Sequence, residues 1–565
     1  MRTLPERFLQ NAENYADKTC FATKRSGQWV SMSWQEAADQ VLKVSTNLVH
    51  AGIQPGDRVV LLAENRPEWA IFNLAIMHMG GIVVPAYTTH TEIDLRHIID
   101  LCEPVAAIIS TSTLTDRLFH SISESQRLKY VWSEDGTEAP ANLALLSKSW
   151  AELEETPRTP AQRYKASVDD TCCLIFTSGT SGFPKAAMLT HKSIGANVDA
   201  AISILQKFNF GNHDRFLSFL PLAHSYEHTA GLHMPISMGA EIWFCEATDK
   251  LQQYLPEVCP TVATAVPRLY DLLYNRINAQ LKTASPLKQS LFRKTLELGK
   301  KRFNGVRLSP LDTILDKFLD KMVRDKVRAR FGGKIRYFIS GGAALNPDVG
   351  EFFTALGVGI IQGYGQTEAS PLISVNSPDW IKIDSVGRSF EGVDVELGED
   401  HELLVRGDCL MKGYWNDDHA TASTIIDGWL HTGDLATIDE DGFIRITGRK
   451  KDLIVTSGGE NVSPSKIETL LSSQEEIEQA VVFGDGKPWL GAVIIPNHEA
   501  SPHDHKQLEA AIKRVNDVLN SSEKVRKYVV QQEPCTTENG LLTPTQKVKR
   551  WRVLELNKRE IEALY

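Results

Sequence analysis

From Thr177 to Lys185 the chain alternates hydroxyls and glycines before a Pro-Lys ending: Thr177, Ser178, Gly179, Thr180, Ser181, Gly182, Phe183, Pro184, Lys185. Glycine lets the backbone take positive φ and approach a ligand closely. Successive N–H groups in such a loop form a concave anion site. The hydroxyls add donors and Lys185 adds a point charge, a set suited to a polyphosphate. A Walker loop needs Gly, four residues, then Gly-Lys-Ser/Thr opening a helix. Counting from Gly179 puts Pro184 before the lysine and Ala186 where a hydroxyl belongs, and the residues after Lys185 read as a strand. The loop therefore binds phosphate in another way, and its ordered ending separates it from a Gly/Ser linker.

Three later stretches carry further chemistry. Tyr337 to Ala344 is a strand ending in small residues, among them Gly341, Gly342 and Ala343, a floor for a flat ring or an acyl chain. Ile360 to Glu368 is a strand entering a Gly-flanked loop. There Tyr364 offers a face to adenine, Thr367 a donor to phosphate, and Glu368 a hard oxygen ligand for Mg²⁺. His224-x-x-Glu227-His228 has the spacing of inverted zinc hydrolases, but no third ligand is marked. The expectation for His228 is a satisfied packing histidine. Nothing marks a Ser-His-Asp nucleophile.

These motifs, in this order, resemble the adenylate-forming, AMP-binding superfamily of acyl-CoA synthetases, luciferases and peptide-synthetase adenylation domains. The resemblance covers nearly the whole chain. Departures at Ser181, Phe183 and Ala186 remove neither a donor nor the lysine. It implies that Thr177 through Gly182, Lys185, Gly342, Tyr364, Gly365 and Thr367 contact the nucleotide, and that Thr180 joins Glu368 at Mg²⁺. Asp434, ending Asp427-Gly428-Trp429-Leu430-His431-Thr432-Gly433-Asp434, would hold the ribose hydroxyls with Arg449. His224, Gly341, Ala343 and Gly363 would form the acyl site, His224 shaping carboxylate access. Gly458, Gly459 and Glu460 would approach the pantetheine of coenzyme A, and Lys451 would be the hinge pivot. Leu541 to Arg550 carries the catalytic lysine. Gln546 replaces the usual glycine there, so Lys547 and Lys549 both stay open, with Lys547 preferred. Val266 to Tyr270 resembles a segment of long-chain acyl-CoA synthetases.

The implied fold is α/β. A large N-terminal domain of parallel and mixed sheets with flanking helices would span 1–448, followed by a hinge at 449–452 and a small mobile α+β domain over 453–565. The implied enzyme is an AMP-forming acyl-CoA synthetase for a medium- to long-chain fatty acid, using ATP, Mg²⁺ and coenzyme A. Transfer to an acyl-carrier protein, or use of an aryl acid, remains the alternative. A peptide-synthetase domain would place an Asp near His224, where only Glu227 is close, and the chain ends soon after Lys547. Luciferase-like oxidation stays open on motifs alone. A non-catalytic binder would show damaged signatures, yet Thr180, Lys185, Glu368, Asp434, Arg449 and Lys547 are all present.

The 565 residues exceed one domain. A net charge of −10 speaks against nucleic acid as a partner. Eight cysteines without a Cys-x-x-Cys suggest a reduced, cytoplasmic protein with no cysteine metal site. The N-terminus lacks the apolar core of a signal peptide. Trp69 to Thr91 has no charged residue, but Asn73, His78, Gly80-Gly81 and Pro85 divide it into a helix and a strand rather than a membrane span.

The elements that must hold the motifs read as alternating helices and strands. Ser33-x-x-Glu36 is a capping box opening a helix that ends near Gly52. Strands follow at Arg58 to Ala63, Ile82 to Val84 and Val105 to Ile109, with helices at Pro67 to Met79 and Glu92 to Leu101 between them, the pattern of a parallel sheet. Residues 129–168 read as irregular excursions. Residues 276–334 hold 16 Lys/Arg against 5 Asp/Glu, a local balance of +11 that leaves −21 for the rest. Within them Leu311, Ile314, Leu315, Phe318, Leu319, Met322 and Val323 keep a helical period. Either this helix packs on the core with a solvated face, or it docks the protein on the anionic inner face of a membrane.

Overall fold

The computed structural model describes residues 1–565 apart from 123–126, 158, 160–163, 178–183, 498–504, 538 and 544–546. Its strands are the short apolar runs of the sequence. Arg58–Leu62, Ile82–Ala86, Ala106–Ile109, Tyr130–Ser133 and Leu146–Ser149 pair in parallel, and Thr171–Thr177 adds beside Ile82–Ala86. Lys185–Thr190 closes the far edge, antiparallel to Thr171–Thr177. The residues between 129 and 168 are thus partly regular. Val131 and Trp132 are buried and extend the sheet where the polar composition suggested only loops.

A second, nine-stranded sheet runs from Arg388–Ser389 through Leu372–Val375, Gly359–Gly365, Tyr337–Ser340, Val262–Ala265, Arg215–Ser218, Glu241–Phe244 and Thr19–Arg25 to Gln28–Ser33. It is parallel in the middle and antiparallel at both edges. One apolar core joins the two sheets through the helices Trp34–His50, Pro67–His78 and His191–Gln206. Trp34, Trp69 and Phe72 are among its fully buried side chains. The helix Pro67–His78 is buried on nearly every face, which explains its charge-poor sequence without a membrane. Among the described residues, no helix is long and apolar enough to cross a bilayer.

An antiparallel sheet built on Glu402–Gly407, Trp429–Ile438 and Ile444–Arg449 comes next in the chain. The hairpin between the last two turns at Asp439–Gly442, and Gly442 takes φ +83° there. A 3₁₀ turn, Lys450–Asp452, leads out of that sheet. From Ile454 onward the chain builds separate cores around the sheet Ile477–Phe483, Leu490–Pro496 and Val525–Val530 and the helices Pro464–Ser472 and His505–Val518. The architecture is a large mixed α/β domain followed by a smaller α+β one.

Residues 276–334 are largely helical, but not as one period. Pro310–Leu319 is an α-helix, Asp320–Arg324 a π turn, and Asp325–Arg330 α-helical again. The π turn inserts a residue and rotates the helix beyond it. Arg324, 3% exposed, therefore points inward, donating to Ala355 O at 2.8 Å, Thr295 O at 3.1 Å and Asp316 Oδ1 at 2.8 Å. Leu319 is buried, whereas Leu311, Ile314, Phe318 and Met322 are 80%, 69%, 53% and 38% exposed. The apolar stripe expected to stay together is split between core and solvent.

Candidate functional site

A cleft of about 2440 Å³ lies between the two domains, at the ends of the central strands. Thr177 and Lys185 enter it from the two strands that flank the Gly-rich loop, and Thr177 Oγ1 donates to Lys185 O at 3.4 Å. A strand rather than a helix begins at Lys185, as expected for a loop that is not of Walker type. Ser178, Gly179, Thr180, Ser181 and Gly182 lie outside the described residues.

Lys185 Nζ sits 5.0 Å from the ring centre of Tyr414 and 3.8 Å from Asp417 Oδ2. The Tyr414 hydroxyl donates to Glu368 Oε1 at 2.8 Å. Thr367 and Glu368 occupy a 3₁₀ turn, Thr367–Ala369, just past the strand Gly359–Gly365, and Thr367 Oγ1 is 2.9 Å from Ser225 Oγ. Gly365 is required by crowding, since a Cβ there would lie 1.8 Å from Pro371 O.

Asp434 is buried at the opposite end of this group. Its Oδ2 accepts from the Tyr364 hydroxyl at 2.6 Å and its Oδ1 from Arg449 Nε at 2.8 Å. Each carboxylate oxygen keeps a second lone pair, so two more donors can be taken. The bond to Asp434 fixes the plane of the Tyr364 ring. Burial and that carboxylate push the Tyr364 phenol well up, which keeps it a donor.

Lys547 lines the cleft from the small domain. Its N–H donates to Thr543 Oγ1 at 3.0 Å, and Thr543 N–H donates back to Lys547 O at 2.8 Å. The Lys547 side chain is exposed to the cleft but surrounded by the cleft's walls. That desolvation, and then the Arg449 guanidinium, lower it from 10.5 to about 8, against the pull of Asp434. His224 also lines the cleft. Burial first, and then the charge of Lys547, bring its imidazole down to about 3, so it is neutral. Lys549 lines the same cleft, where its charge falls on His90, held at about 4 mainly by burial, and on Asp94.

Gly341, Gly342, Ala343 and Gly363 all line the cleft. A Cβ on Gly341 would stand 3.1 Å from the Tyr226 ring, which is fixed by its hydroxyl donating to Ile339 O at 2.7 Å. Ala230, Met234, Leu205 and Leu372 add an apolar part to the cleft's lining. The pair His224/His228 does not form a metal site. Glu227 is buried on Ser218 Oγ and Thr264 Oγ1 at 2.6 and 2.5 Å, and His228 Nε2 meets Asn73 Oδ1 at 3.1 Å. The segment Glu227–His233 is a π turn, but it starts beyond His224, and His228 N–H still donates to His224 O at 2.9 Å, one helical turn back. No cluster of His, Cys, Asp or Glu able to hold a metal occurs among the described residues.

Lys451 borders the cleft, but Gly458, Gly459 and Glu460 do not. They form an exposed turn between Ile454–Val455 and Asn461–Val462, where Gly459 takes φ +80°. Two residues outside the sequence motifs stand in the site: Ser225, beside Thr367, and Tyr414. The Gly413-Tyr414-Trp415-Asn416 run, an aromatic pair between turn residues, was the available signal for the second.

Residues 8–415 match the model of the AMP-binding enzyme family, and residues 451–565 that of the AMP-binding enzyme C-terminal domain. The chain belongs to the AMP-binding enzymes. Among members similar to it is the long-chain-fatty-acid–CoA ligase FadD15 of Mycobacterium tuberculosis, 33% identical over 95% of this chain and 93% of that one. Another is human long-chain-fatty-acid–CoA ligase 6, 31% identical over 96% and 83%. The fold matches the adenylation domain of a carboxylic acid reductase from Segniliparus rugosus solved with AMP, at TM-score 0.80 and 19% identity over 100% of this chain and 94% of that one. It also matches ATP-bound MatB from Rhodopseudomonas palustris, at 0.74 and 22% over 98% and 99%. This AMP-binding enzyme is a carboxylic acid–thiol ligase of the acyl-CoA synthetase type.

Proposed function

We propose that the protein activates a long-chain fatty acid with ATP to an acyl-adenylate and passes the acyl group to coenzyme A. The observation that carries this reading is one cleft that Lys547, the Tyr364–Asp434–Arg449 cluster, the Lys185–Glu368 group and the apolar Ala230, Met234, Leu205 and Leu372 line together. The names of the curated relatives point to the acid and the acceptor.

A carboxylate resists attack because oxide is a poor leaving group. Its oxygen instead attacks the α-phosphorus of ATP and pyrophosphate leaves. The coenzyme A thiol then attacks the acyl carbon, and AMP leaves. In the first step an anion approaches a polyanion, and each unit pair at about 4 Å repels by roughly 4 kcal/mol at an effective dielectric near ~20. Lys547 offsets that charge at the α-phosphate and the carboxylate. Lys185 and the Gly-rich loop from Thr177 to Gly182 hold the β- and γ-phosphates, with Thr367 and Gly342 beside them. Tyr364 and Gly365 face adenine, and Asp434 with Arg449 holds ribose. Neutral His224 borders the carboxylate without adding charge, above the slot left by Gly341, Ala343 and Gly363.

Glu368 fits a magnesium ion: it is a hard oxygen donor in the cleft, with one oxygen held by Tyr414 and the other without a hydrogen-bond donor among the described residues. Thr180 is its companion in this reading. When bound, Mg²⁺ spreads phosphate charge and lowers the cost of the first step.

Thioester formation requires Gly458, Gly459 and Glu460 at the cleft, although the turn lies outside it in this arrangement. A rotation of residues 453–565 about 449–452, with Lys451 as pivot, supplies that second orientation. The separate cores on either side of the 3₁₀ turn support this division.

The cationic helices support peripheral association with an anionic membrane, where fatty acids partition. Leu311, Ile314 and Phe318 project outward beside the exposed Lys317 and Lys321, an apolar row edged by cations that suits a lipid interface.

The deciding experiment is pyrophosphate release over fatty and aryl acids of graded size, with coenzyme A, with an acyl-carrier protein, and with neither. Release that peaks with long fatty acids, and thioester only with coenzyme A, is expected. Release confined to aryl acids, or thioester only on the carrier protein, overturns the assignment.

A further inference from the structure

Tyr414 stands between two groups that the proposed chemistry needs and belongs to neither motif. Its segment is fixed from three sides. Lys412 N–H donates to Met188 O at 2.9 Å and Trp415 N–H to Ala186 O at 2.8 Å, so the segment extends the strand that carries Lys185. Met411 N–H donates to Glu368 O at 2.8 Å, tying the same segment to the 3₁₀ turn of Glu368. Tyr414 N–H donates to Thr421 Oγ1 at 2.9 Å, anchoring it to the helix Asp418–Thr424.

A side chain on so rigid a post imposes its geometry on its neighbours. The Tyr414 hydroxyl donates to Glu368 Oε1 at 2.8 Å, which tethers that oxygen, while Oε2 has no donor among the described residues. The ring carries the Lys185 ammonium at 5.0 Å on its face, within cation–π range. Asp417, three residues on, draws the same ammonium from the side at 3.8 Å. Burial, then the charge of Glu368, push the phenol far up, so it donates rather than accepts at any working pH.

We propose that Tyr414 is a positioning residue that sets Glu368 for the divalent cation and Lys185 for the phosphates of the same nucleotide, through one hydroxyl and one ring face. It touches neither cation nor phosphate. Its two handles are separable: Tyr414→Phe keeps the ring face and loses the hydroxyl, while Tyr414→Leu loses both.

This rests on the reading of Glu368 as a magnesium ligand, and the test keeps the two apart. Purified full-length protein with a non-hydrolysable ATP analogue is titrated with Mn²⁺ and bound metal is read by electron paramagnetic resonance. In parallel, the Mg²⁺ dependence of fatty-acid-dependent pyrophosphate exchange is measured. A hydrogen bond to a charged group is worth enough to move affinity by about 10-fold when lost. Tyr414→Phe is expected to weaken Mn²⁺ binding and raise the Mg²⁺ half-saturation by about that factor, with the apparent KM for ATP at saturating metal moving less. Tyr414→Leu should add a rise in that KM. Glu368→Gln should weaken Mn²⁺ binding by itself, and adding Tyr414→Phe to it should cost little more, since the partners form one unit. If Glu368→Gln leaves Mn²⁺ binding unchanged, the metal reading falls and this proposal with it. If Glu368→Gln weakens binding while Tyr414→Phe shifts neither metal readout beyond about twofold, the positioning role alone is overturned. Full additivity of the two changes overturns it as well.

Discussion

The cleft and the outer helices 276–334 both carry many cations, yet those cations are held in different ways. On the outside many cations are met by carboxylates. Arg328 pairs with Asp320 and Asp325, Lys294 and Lys301 with Glu297, Lys300 with Glu351, and Arg324 with Asp316 inside the fold. In the cleft fewer cations are present, and they face shared space. Lys547 is drawn below its ordinary value, and Lys185 meets an aromatic face and a carboxylate at 3.8 Å. Charge number therefore says little about function. A cation enclosed by its protein partners is structural, whereas one that also faces a cavity, as Lys185 and Arg449 do beside Asp417 and Asp434, is available to a ligand.

The largest effect should come from the buried outer pair. Arg324→Met leaves Asp316 charged and without its buried partner, and breaking a buried ion pair costs about 3–5 kcal/mol. Urea unfolding should show a loss of that size. Lys317→Gln or Lys321→Gln should change stability by less than about 0.5 kcal/mol. Equal effects at all three positions would erase the distinction between inward and outward cations. Arg324 accordingly belongs in no test of membrane binding.

In the cleft, Lys547→Ala should slow acyl-adenylate formation by roughly 10²–10³-fold, the scale of one lost transition-state donor. The same variant, given preformed acyl-adenylate and coenzyme A, should still make thioester. Lys451→Pro should show the reverse, because proline restricts φ at the pivot. Lys549→Ala, whose charge acts on His90 and Asp94, should leave the first step within about threefold. Rapid-quench assays of each half-reaction decide this, and a split seen only with Lys549→Ala would move the catalytic register.

These contrasts show what was legible in the sequence. The Ser33 capping box forms with Glu36, the residues after Lys185 are a strand, and the parallel order of the first sheet agrees with its alternating helices and strands. The order of motifs was enough to bring Lys185, Glu368, Asp434, Arg449 and Lys547 to one cleft. Tyr414 was not legible because its value lies in a contact to Glu368, 46 residues away, and in a bridge to Ala187. Arg324 was hidden by the π turn at Asp320–Arg324, since extending a 3.6-residue period through it puts the side chain outside. His228 does follow His224 by one helical turn, but Glu227 is held by Ser218 and Thr264 and His228 by Asn73, partners far off in the chain.

On the membrane side the effect is smaller. A lysine near an anionic surface contributes about 1 kcal/mol. Lys317→Gln with Lys321→Gln should thus weaken binding to phosphatidylserine vesicles by about 2 kcal/mol, roughly 30-fold, and raised salt should weaken the wild type in the same direction. Phe318→Ser should reduce binding at high salt too, because it removes apolar contact rather than charge. Sedimentation with vesicles measures both, and absence of wild-type binding at low salt ends the membrane reading.

The smallest effect is a matter of pH, and it tests whether Lys547 is held toward a ligand. Its ammonium lies near 8 because the walls desolvate it and Arg449 repels it. Below about pH 8 the free enzyme carries this charge, and above it the charge is lost. The kcat/KM of adenylation, which reports the free enzyme, should fall as pH rises through about 8, by about 10-fold per unit once the group has titrated. Bound phosphates favour the ammonium, so the fall in kcat should come at higher pH. Stability should move the other way. Between about 8 and 10.5 the unfolded chain binds more protons at this lysine than the folded one, so its contribution to stability rises with pH across that window. Lys547→Met should abolish both trends. Thioester formation from preformed adenylate needs no ammonium there in the proposed second orientation, and its pH profile should lack the limb at about 8. A matching limb in both half-reactions would mean that Lys547 stays in the cleft throughout, and the rotation about residues 449–452 would have to be abandoned.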